Sequence, residues 1–155
     1  AMSDVLLVLV GDYEREVFHS DYPALRTQID TLALEDQVLF TGYLPDDELV
    51  VLLNLATVLV LPSLMEGFGL PAVEAAACGC PVVATVASPL PGLLGAGGRY
   101  VDPRRPDTLQ RALTAVLESA PLRAQMREAG LAAARQLTWE AAARDLLRVL
   151  EGVAR

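Results

Sequence analysis

The stretch Met65–Thr85, MEGFGLPAVEAAACGCPVVAT, contains a turn, a helix and a strand in immediate succession. Gly67 and Gly69 predict the turn, because glycine accepts backbone conformations that other residues avoid. A helix is predicted over residues 70–78, with a proline in its first turn. The apolar run 82–84 then predicts a short buried strand. A turn, a helix and a buried strand in this order are typical of α/β folds.

The rest of the chain repeats this alternation of apolar runs and amphipathic stretches. The predicted strands are 5–10, 38–41, 58–61, 82–84 and 99–101. The predicted helices are 23–34, 46–56, 70–78, 106–119, 121–135 and 139–153. The segment 86–98 is predicted as a loop, since it is rich in proline and glycine. The first run is apolar throughout, which predicts a parallel strand that is buried on both faces.

These elements predict an α/β protein with a Rossmann-like, doubly wound parallel sheet. A helical tail over about 106–155 follows the sheet. The length of 155 residues fits a single domain over 1–155, and 53% hydrophobic residues are enough for a filled core.

The charge of the chain excludes some partners. The net charge is −8, and every basic residue is an arginine. An acidic chain without a basic cluster argues against nucleic acid and against anionic membrane surfaces as partners. A local positive site remains compatible with this composition.

The two cysteines, Cys78 and Cys80, predict a reducing environment. They are too close in sequence for an easy disulfide, and no further ligands lie nearby to complete a zinc site. We expect both to be reduced and buried, in a cytoplasmic protein. No apolar run approaches the ~18 residues of a membrane span, and no signal peptide is visible.

The turn before the predicted helix 70–78 has the chemistry of a phosphate site. Gly67 and Gly69 let backbone N–H groups approach a ligand, and the start of a helix carries a positive field. Glu66 and Glu74 would repel a phosphate, so we expect them to accept hydrogen bonds from neutral hydroxyl groups. Eight residues of helix span ~12 Å, which is about the size of a nucleotide sugar.

The motif SLMEGFGLPAVEAAACGCPVVAT resembles the Glu-x7-Glu motif of retaining, two-domain glycosyltransferases of the GT-B type, group 1. Three further segments, LLVLVGDYE, DQVLFTGYLPDDELVVLLNLATVLVLPS and YVDPRRPDTLQRAL, resemble the same family in order and spacing. The resemblance therefore covers nearly the whole chain. It is to the C-terminal domain, which binds the nucleotide-sugar donor.

This resemblance implies a role for each matching residue. Glu66 resembles the glutamate that contacts the transferred sugar close to the reacting centre, and Glu74 resembles the one that binds the ribose. The turn resembles the segment that holds the donor's sugar and phosphate, with Gly11 and Asp12 on the diphosphate side. The implied donor residues are Gly67, Phe68, Gly69, Leu70, Gly11 and Asp12. The implied base-binding residues are Gly42, Tyr43 and Leu44.

The resemblance also implies the reaction. The full-length protein would transfer a hexose from a UDP- or GDP-sugar to a glycan, a lipid or a small acceptor, with retention and without a metal or cofactor. The acceptor site and a histidine near the reacting centre usually lie in an N-terminal domain. We assign no chemistry to His19, the one histidine of the sequence.

The sequence departs from the family pattern in two places. Family domains usually begin with one more strand, a Gly-Arg loop and a lysine, and this chain has no lysine. A missing first strand would leave unpaired edges inside the sheet, so we expect a fragment that self-associates and transfers little alone. Any membrane contact would come from absent regions, at the inner membrane. Gly92 stands where the family often has a glutamate.

Other functions remain open from the residues alone. The chain could be a non-catalytic module that binds nucleotides or nucleotide sugars, or a GT-B-like sugar-nucleotide epimerase domain. A flavodoxin-like signalling domain is disfavoured, because it would need a lysine.

Overall fold

The computed structural model describes residues 5–13 and 21–153. The strands are β1 (Leu7–Val10), β2 (Val38–Gly42), β3 (Leu59–Leu61), β4 (Val82–Thr85) and β5 (Gly98–Val101). The helices are α1 (Tyr22–Leu32), α2 (Asp46–Leu55), α3 (Leu70–Ala77), α4 (Leu90–Leu94), α5 (Pro106–Glu118), α6 (Ala120–Ala134) and α7 (Trp139–Val153). The prediction of an α/β fold with parallel strands and C-terminal helices is confirmed.

The chain divides into two compact units, Ala1–Leu49 and Val50–Arg155. The first unit holds a two-stranded parallel sheet, β1-β2, and the second holds a three-stranded parallel sheet of order β3-β4-β5. The expectation that the first strand of the sheet is missing stays a prediction.

The second unit is built around β4. This strand pairs with β3 on one side and β5 on the other, and all four of its residues are buried. Its Val83 packs with Val101, with Val116 of α5 and with Met126 of α6 in one apolar cluster. The central position of β4 explains why its sequence is apolar throughout.

The sequence prediction for the segment 86–98 is wrong. Residues 86–98 are not all loop, because α4 occupies Leu90–Leu94 and a 3-10 turn follows over Gly95–Gly97. Leu90 and Leu94 are four residues apart on one helix face, and both are buried. Pro91 stands at the helix start, where proline is tolerated.

The strand β1 is parallel, as predicted, but it is not buried on both faces. Leu7 is 47% exposed and Val10 is 44% exposed. The physical reason is that β1 pairs only with β2 in the described part of its unit, where α1 is the one complete helix. An apolar run indicates a strand, but its burial depends on what covers it.

Candidate functional site

The loop between β3 and α3 is held in place at Glu66. The Ser63 hydroxyl donates a hydrogen bond to Oε2 of Glu66 at 3.2 Å. The backbone N–H of Glu66 donates to the carbonyl of Ala87 at 3.1 Å. This carboxylate is half-buried. The two hydrogen bonds fix Glu66 at the carboxyl ends of β3 and β4, where ligands bind in open parallel sheets.

Gly69 forms the turn that begins α3. Its φ of +84° lies in the left-handed region, and its carbonyl accepts from the N–H groups of Ala72 and Val73. A Cβ at Gly69 would come within 2.8 Å of the Leu90 side chain. Glycine is therefore required here both by backbone conformation and by packing. Gly67, in contrast, is exposed and a Cβ there would meet nothing within 4 Å.

The start of α3 leaves backbone donors available. In the described part of the chain, no carbonyl accepts from the N–H groups of Gly67, Phe68, Gly69 or Leu70. Phe68 and Leu70 are exposed around this turn. Unpaired N–H groups at a helix start form a favourable environment for an anion.

Glu74 lies on α3 with an exposed side chain. The helix continues for three residues beyond it, to Ala77, and the N–H of Cys78 donates to its carbonyl at 3.0 Å. The structure thus places Glu66, the glycine turn and Glu74 on one continuous loop–helix segment. That the two carboxylates are spaced to span a nucleotide sugar stays a prediction.

Two hydroxyl residues at the end of β4 were not singled out from the sequence. Thr85 is fully buried, and its Oγ1 accepts from the N–H of Ala87 at 3.1 Å. The Ser88 hydroxyl donates to the Thr85 carbonyl at 2.8 Å. Both shape the segment that anchors Glu66 through Ala87. Their position directly after a buried strand was the signal that could have found them.

In the first unit, Gly11 and Gly42 meet at the carboxyl ends of β1 and β2. The N–H of Gly11 donates to the carbonyl of Gly42 at 3.1 Å. The register shifts between Leu9 and Val10, so that Val10 pairs with Gly42. Irregular pairing of this kind is common beside functional sites. Of the residues that follow Gly42, Tyr43 is 72% exposed and Leu44 is half-buried.

An aromatic cleft adjoins Gly11 and Asp12 in this unit. Tyr13 and Tyr22 stack with ring centroids 4.3 Å apart, and both meet Phe40 edge-on. A cavity of about 250 Å³ lies among these residues. The sequence reasoning missed the three aromatic residues, which are far apart in the chain and carry no shared motif.

The predicted site residues therefore fall into two groups. Gly11, Asp12, Gly42, Tyr43 and Leu44 lie in the first unit, and the segment from Glu66 to Glu74 lies in the second. That the two groups form one site stays a prediction. His19 lies outside the described residues.

The described residues also bear on metal sites and membrane spans. Across residues 5–13 and 21–153, no three His, Cys, Asp or Glu side chains are grouped so that they could hold a metal ion. None of the helices described is both long and apolar enough to cross a membrane. Cys78 and Cys80 are free, with Cys80 buried and Cys78 half-buried.

The fold and the loop–helix segment agree with a comparison against known families. The family model described as "Glycosyl transferases group 1" matches residues 2–133. The chain belongs to this family, as the Glu-x7-Glu motif indicated.

Curated relatives carry glycosyltransferase names. The chain is 38% identical over 106 residues to O-antigen chain mannosyltransferase B of Escherichia coli, and the aligned region covers 68% of this chain and 28% of that protein. It is 38% identical over 149 residues to D-inositol 3-phosphate glycosyltransferase of Thermobifida fusca, and here the aligned region covers 95% of this chain and 34% of that protein. The chain thus spans about a third of the length of these two relatives.

Solved structures of the same fold include glycosyltransferases. Sucrose-phosphate synthase from Thermosynechococcus elongatus matches with a TM-score of 0.82 and 28% identity, over 95% of this chain and 38% of that chain. The Anabaena protein HepE in complex with UDP matches with a TM-score of 0.80 and 26% identity, over 96% of this chain and 41% of that chain. These neighbours identify the fold as Rossmann-like and of the GT-B type.

Proposed function

We propose that this chain is the donor-binding half of a retaining glycosyltransferase. The full-length protein would transfer a hexose from a UDP- or GDP-sugar to a glycan, a lipid or a small acceptor. The observation that carries this proposal is the loop–helix segment from Glu66 to Glu74. It combines unpaired N–H groups at the start of α3 with a carboxylate at each end.

The start of α3 would bind the diphosphate of the donor. The N–H groups of Gly67 to Leu70 have no carbonyl partner among the described residues, and the helix dipole adds positive potential. In the transfer reaction negative charge develops on the leaving diphosphate. Hydrogen-bond donors that are already oriented towards that charge stabilise the transition state.

The two carboxylates would bind hydroxyl groups on either side of the diphosphate. Glu66, held by Ser63 and by the Ala87 carbonyl, would contact the transferred sugar near the reacting centre. Glu74, exposed on α3, would accept hydrogen bonds from the ribose. Ionised carboxylates are strong acceptors for such hydroxyl groups. The order sugar, diphosphate, ribose then follows the direction of the chain.

The first unit would contribute the base and part of the diphosphate site. Gly42, Tyr43 and Leu44 would lie along the nucleobase, and Gly11 and Asp12 would face the diphosphate. The exposed ring of Tyr43 offers a surface for a base. UDP is bound by the HepE structure, which supports a nucleotide sugar as the ligand.

The remaining parts of the proposal concern the whole protein. The acceptor would be bound by an N-terminal domain, so that the isolated chain binds donor weakly and transfers little. The reaction would use neither a metal nor another cofactor. The protein would act in the cytoplasm, with any contact to the inner membrane made by other regions.

The binding part of this proposal is tested by NMR titration of the 155-residue chain with UDP, GDP and their glucose and mannose conjugates. We expect the amide signals of Gly67 to Leu70 to shift with one nucleotide series and not with the other. Unchanged signals with all ligands at millimolar concentration would contradict the site assignment.

Replacing Glu66 tests the sugar end of the site. In the Glu66→Ala variant, the affinity for UDP or GDP should persist while the preference between glucose and mannose conjugates is lost. The Ser63→Ala variant is the matched control, because it removes one hydrogen bond to Glu66 and keeps the carboxylate. If Glu66→Ala keeps the full preference between glucose and mannose conjugates, the role assigned to Glu66 is wrong.

A further inference from the structure

A second cavity lies at the amino-terminal ends of the strands in the three-stranded sheet. It measures about 240 Å³ and is lined by Ala56, Thr57, Gly79, Pro81, Arg123, Ala124 and Arg127. The first two residues precede β3 and the next two precede β4, so the cavity lies at the amino-terminal ends of these parallel strands. The loop that contains Glu66 lies at their carboxyl-terminal ends, about 13 Å away along four residues of strand.

Two arginines on one face of α6 line this cavity. Arg123 and Arg127 are four residues apart, which places them side by side on the helix. Nη1 of Arg123 donates to the carbonyls of Val116 and Leu117, at 2.8 and 2.7 Å. Nη1 of Arg127 donates to the carbonyl of Gly79 at 3.2 Å. These hydrogen bonds fix the guanidinium groups and leave several N–H groups of each unused.

Arg127 is exposed, and one side of its guanidinium lies against Gly79. Gly79 has a φ of +75°, and a Cβ there would lie 2.8 Å from Cζ of Arg127. The absence of a side chain at Gly79 therefore lets the guanidinium lie directly against the backbone. The carbonyl of Ala56, another lining residue, accepts a weak hydrogen bond from Sγ of the buried Cys80, at 3.6 Å.

The cavity carries positive charge without a counter-charge. No Asp or Glu lines it, and within the described chain neither Arg123 nor Arg127 forms a salt bridge. The hydroxyl of Thr57 adds a third donor, and this side chain is exposed. Two neighbouring arginines without a salt bridge are more unusual in a chain with a net charge of −8, since acidic side chains are abundant.

We propose that this cavity, the arginine cavity, binds a phosphate group carried by a small molecule. Arginine forks match the geometry of phosphate oxygens and form paired hydrogen bonds to them. The volume is slightly below the ~300–1,000 Å³ of sites for drug-sized ligands, which fits a phosphate with a small substituent. Carbonyl capping of α5 by Arg123 uses one nitrogen only, and it does not explain why a second arginine and a threonine line the same cavity.

The arginine cavity is connected to the proposed donor site by one helix. α3 begins at the glycine turn, and the residue two positions after its last residue, Ala77, is Gly79 beneath Arg127. A phosphate held at the arginine cavity would therefore act at the far end of the helix whose start faces the donor. Binding of a phosphate at the arginine cavity does not depend on the proposed donor site.

The test is a calorimetric titration of the 155-residue chain with inorganic phosphate and with glycerol 3-phosphate, once without nucleotide and once with UDP and GDP both in excess. Arg127→Gln should weaken binding at least about tenfold, because it removes a charged hydrogen-bonding group. Arg135→Gln is the matched control, since this exposed arginine of the same region removes the same charge outside the cavity. Equal binding by wild type and Arg127→Gln would overturn the proposal, as would an equal loss in the control.

A second variant covers the case in which Arg127→Gln does not fold. Thr57→Glu keeps both arginines and places a carboxylate at the exposed rim, so it should abolish phosphate binding. Ala132→Glu on the exposed face of α6 adds the same charge elsewhere and should not. Phosphate-induced amide shifts should appear at Thr57 and Gly79, and shifts confined to Gly67–Leu70 would overturn the proposal.

A third arm distinguishes the source of the phosphate group. Vesicles that contain phosphatidic acid should leave the chain in solution if the ligand is a soluble phosphate. If the chain sediments with these vesicles and Thr57→Glu prevents the sedimentation, the ligand of the same cavity is a lipid headgroup. Sedimentation that Thr57→Glu leaves unchanged would contradict a role for the cavity in lipid binding.

Discussion

At the scale of single residues, the proposed donor site depends on Gly69. The left-handed backbone at this position turns the chain into α3, and the Leu90 side chain fills the space that a Cβ would need. Gly67, two residues earlier, has neither constraint. The same motif thus contains one glycine required by structure and one with open space around it.

Replacing Gly69 should therefore be costly. Gly69→Ala should lower the free energy of unfolding by at least about 1–2 kcal/mol, since alanine is strained in the left-handed region. Gly92→Ala is the matched control, because Gly92 lies in α4 without a positive φ and with open space around its Cα. We expect this control to gain about 0.5–1 kcal/mol. Urea unfolding measures both, and equal stabilities would contradict the assignment.

Cys80 should make stability depend on alkaline pH. Burial penalises the thiolate and raises the pKa of Cys80 from an ordinary 9.0 to about 11. An unfolded chain would release this proton near pH 9, while the folded chain retains it until about pH 11. The free energy of unfolding should therefore fall as pH rises through this window. Urea unfolding from pH 8 to 11 should show a smaller fall in Cys80→Ala, and identical profiles would contradict burial of the thiol.

At the scale of elements, close helix packing holds α6 against the segment that precedes β5. A Cβ at Gly97 would lie 2.6 Å from Cα of Gly130 in α6. A Cβ at Gly130 would in turn lie 3.4 Å from Cβ of Ala76 in α3. Small residues at these positions let the three elements approach one another. The position of α6, which carries the arginine cavity, depends on this contact.

This packing predicts a stability defect on enlarging Gly97. The opposing atoms are backbone atoms of Gly130, which cannot move aside as a flexible side chain could. Gly97→Ala should destabilise by about 1–3 kcal/mol or more. Gly152→Ala is the control, since nothing lies within 4 Å of that Cβ. A melting temperature of Gly97→Ala equal to that of the control would show that the contact is not tight.

The sequence predicted most elements, and its failures have physical causes. The strand β4 and the helix α3 were found because one is wholly apolar and the other has a proline and a glycine at its start. The helix α4 was missed because its proline and glycine content is typical of loops, and only the burial of Leu90 and Leu94 explains it. The aromatic cleft and the arginine cavity join residues that are distant in sequence, so no local pattern could reveal them.

At the scale of the molecule, four strands each have one open edge in the described chain. β1 and β2 pair only with each other, and β3 and β5 each pair only with β4. Unpaired strand edges present rows of N–H and C=O groups that can pair with another chain. Trp139 and several leucines of α7 add exposed apolar surface.

These features predict concentration-dependent self-association of the 155-residue chain. Static light scattering should give an apparent mass that rises above 16.6 kDa with protein concentration. Added UDP should not change this rise, because pairing at a strand edge uses backbone groups of the strands and not those of the glycine turn. A constant mass of one chain at high concentration would contradict the expectation.

The central claim is that the segment from Glu66 to Glu74 binds the diphosphate and ribose of a nucleotide donor. The most direct measurement is the dissociation constant for the preferred nucleoside diphosphate, by calorimetry, of wild type, Glu74→Ala and Glu118→Ala. Glu118 is an exposed helical glutamate outside the segment and controls for charge. The account predicts a constant at least about tenfold higher in Glu74→Ala only. The same constant in all three proteins would contradict it.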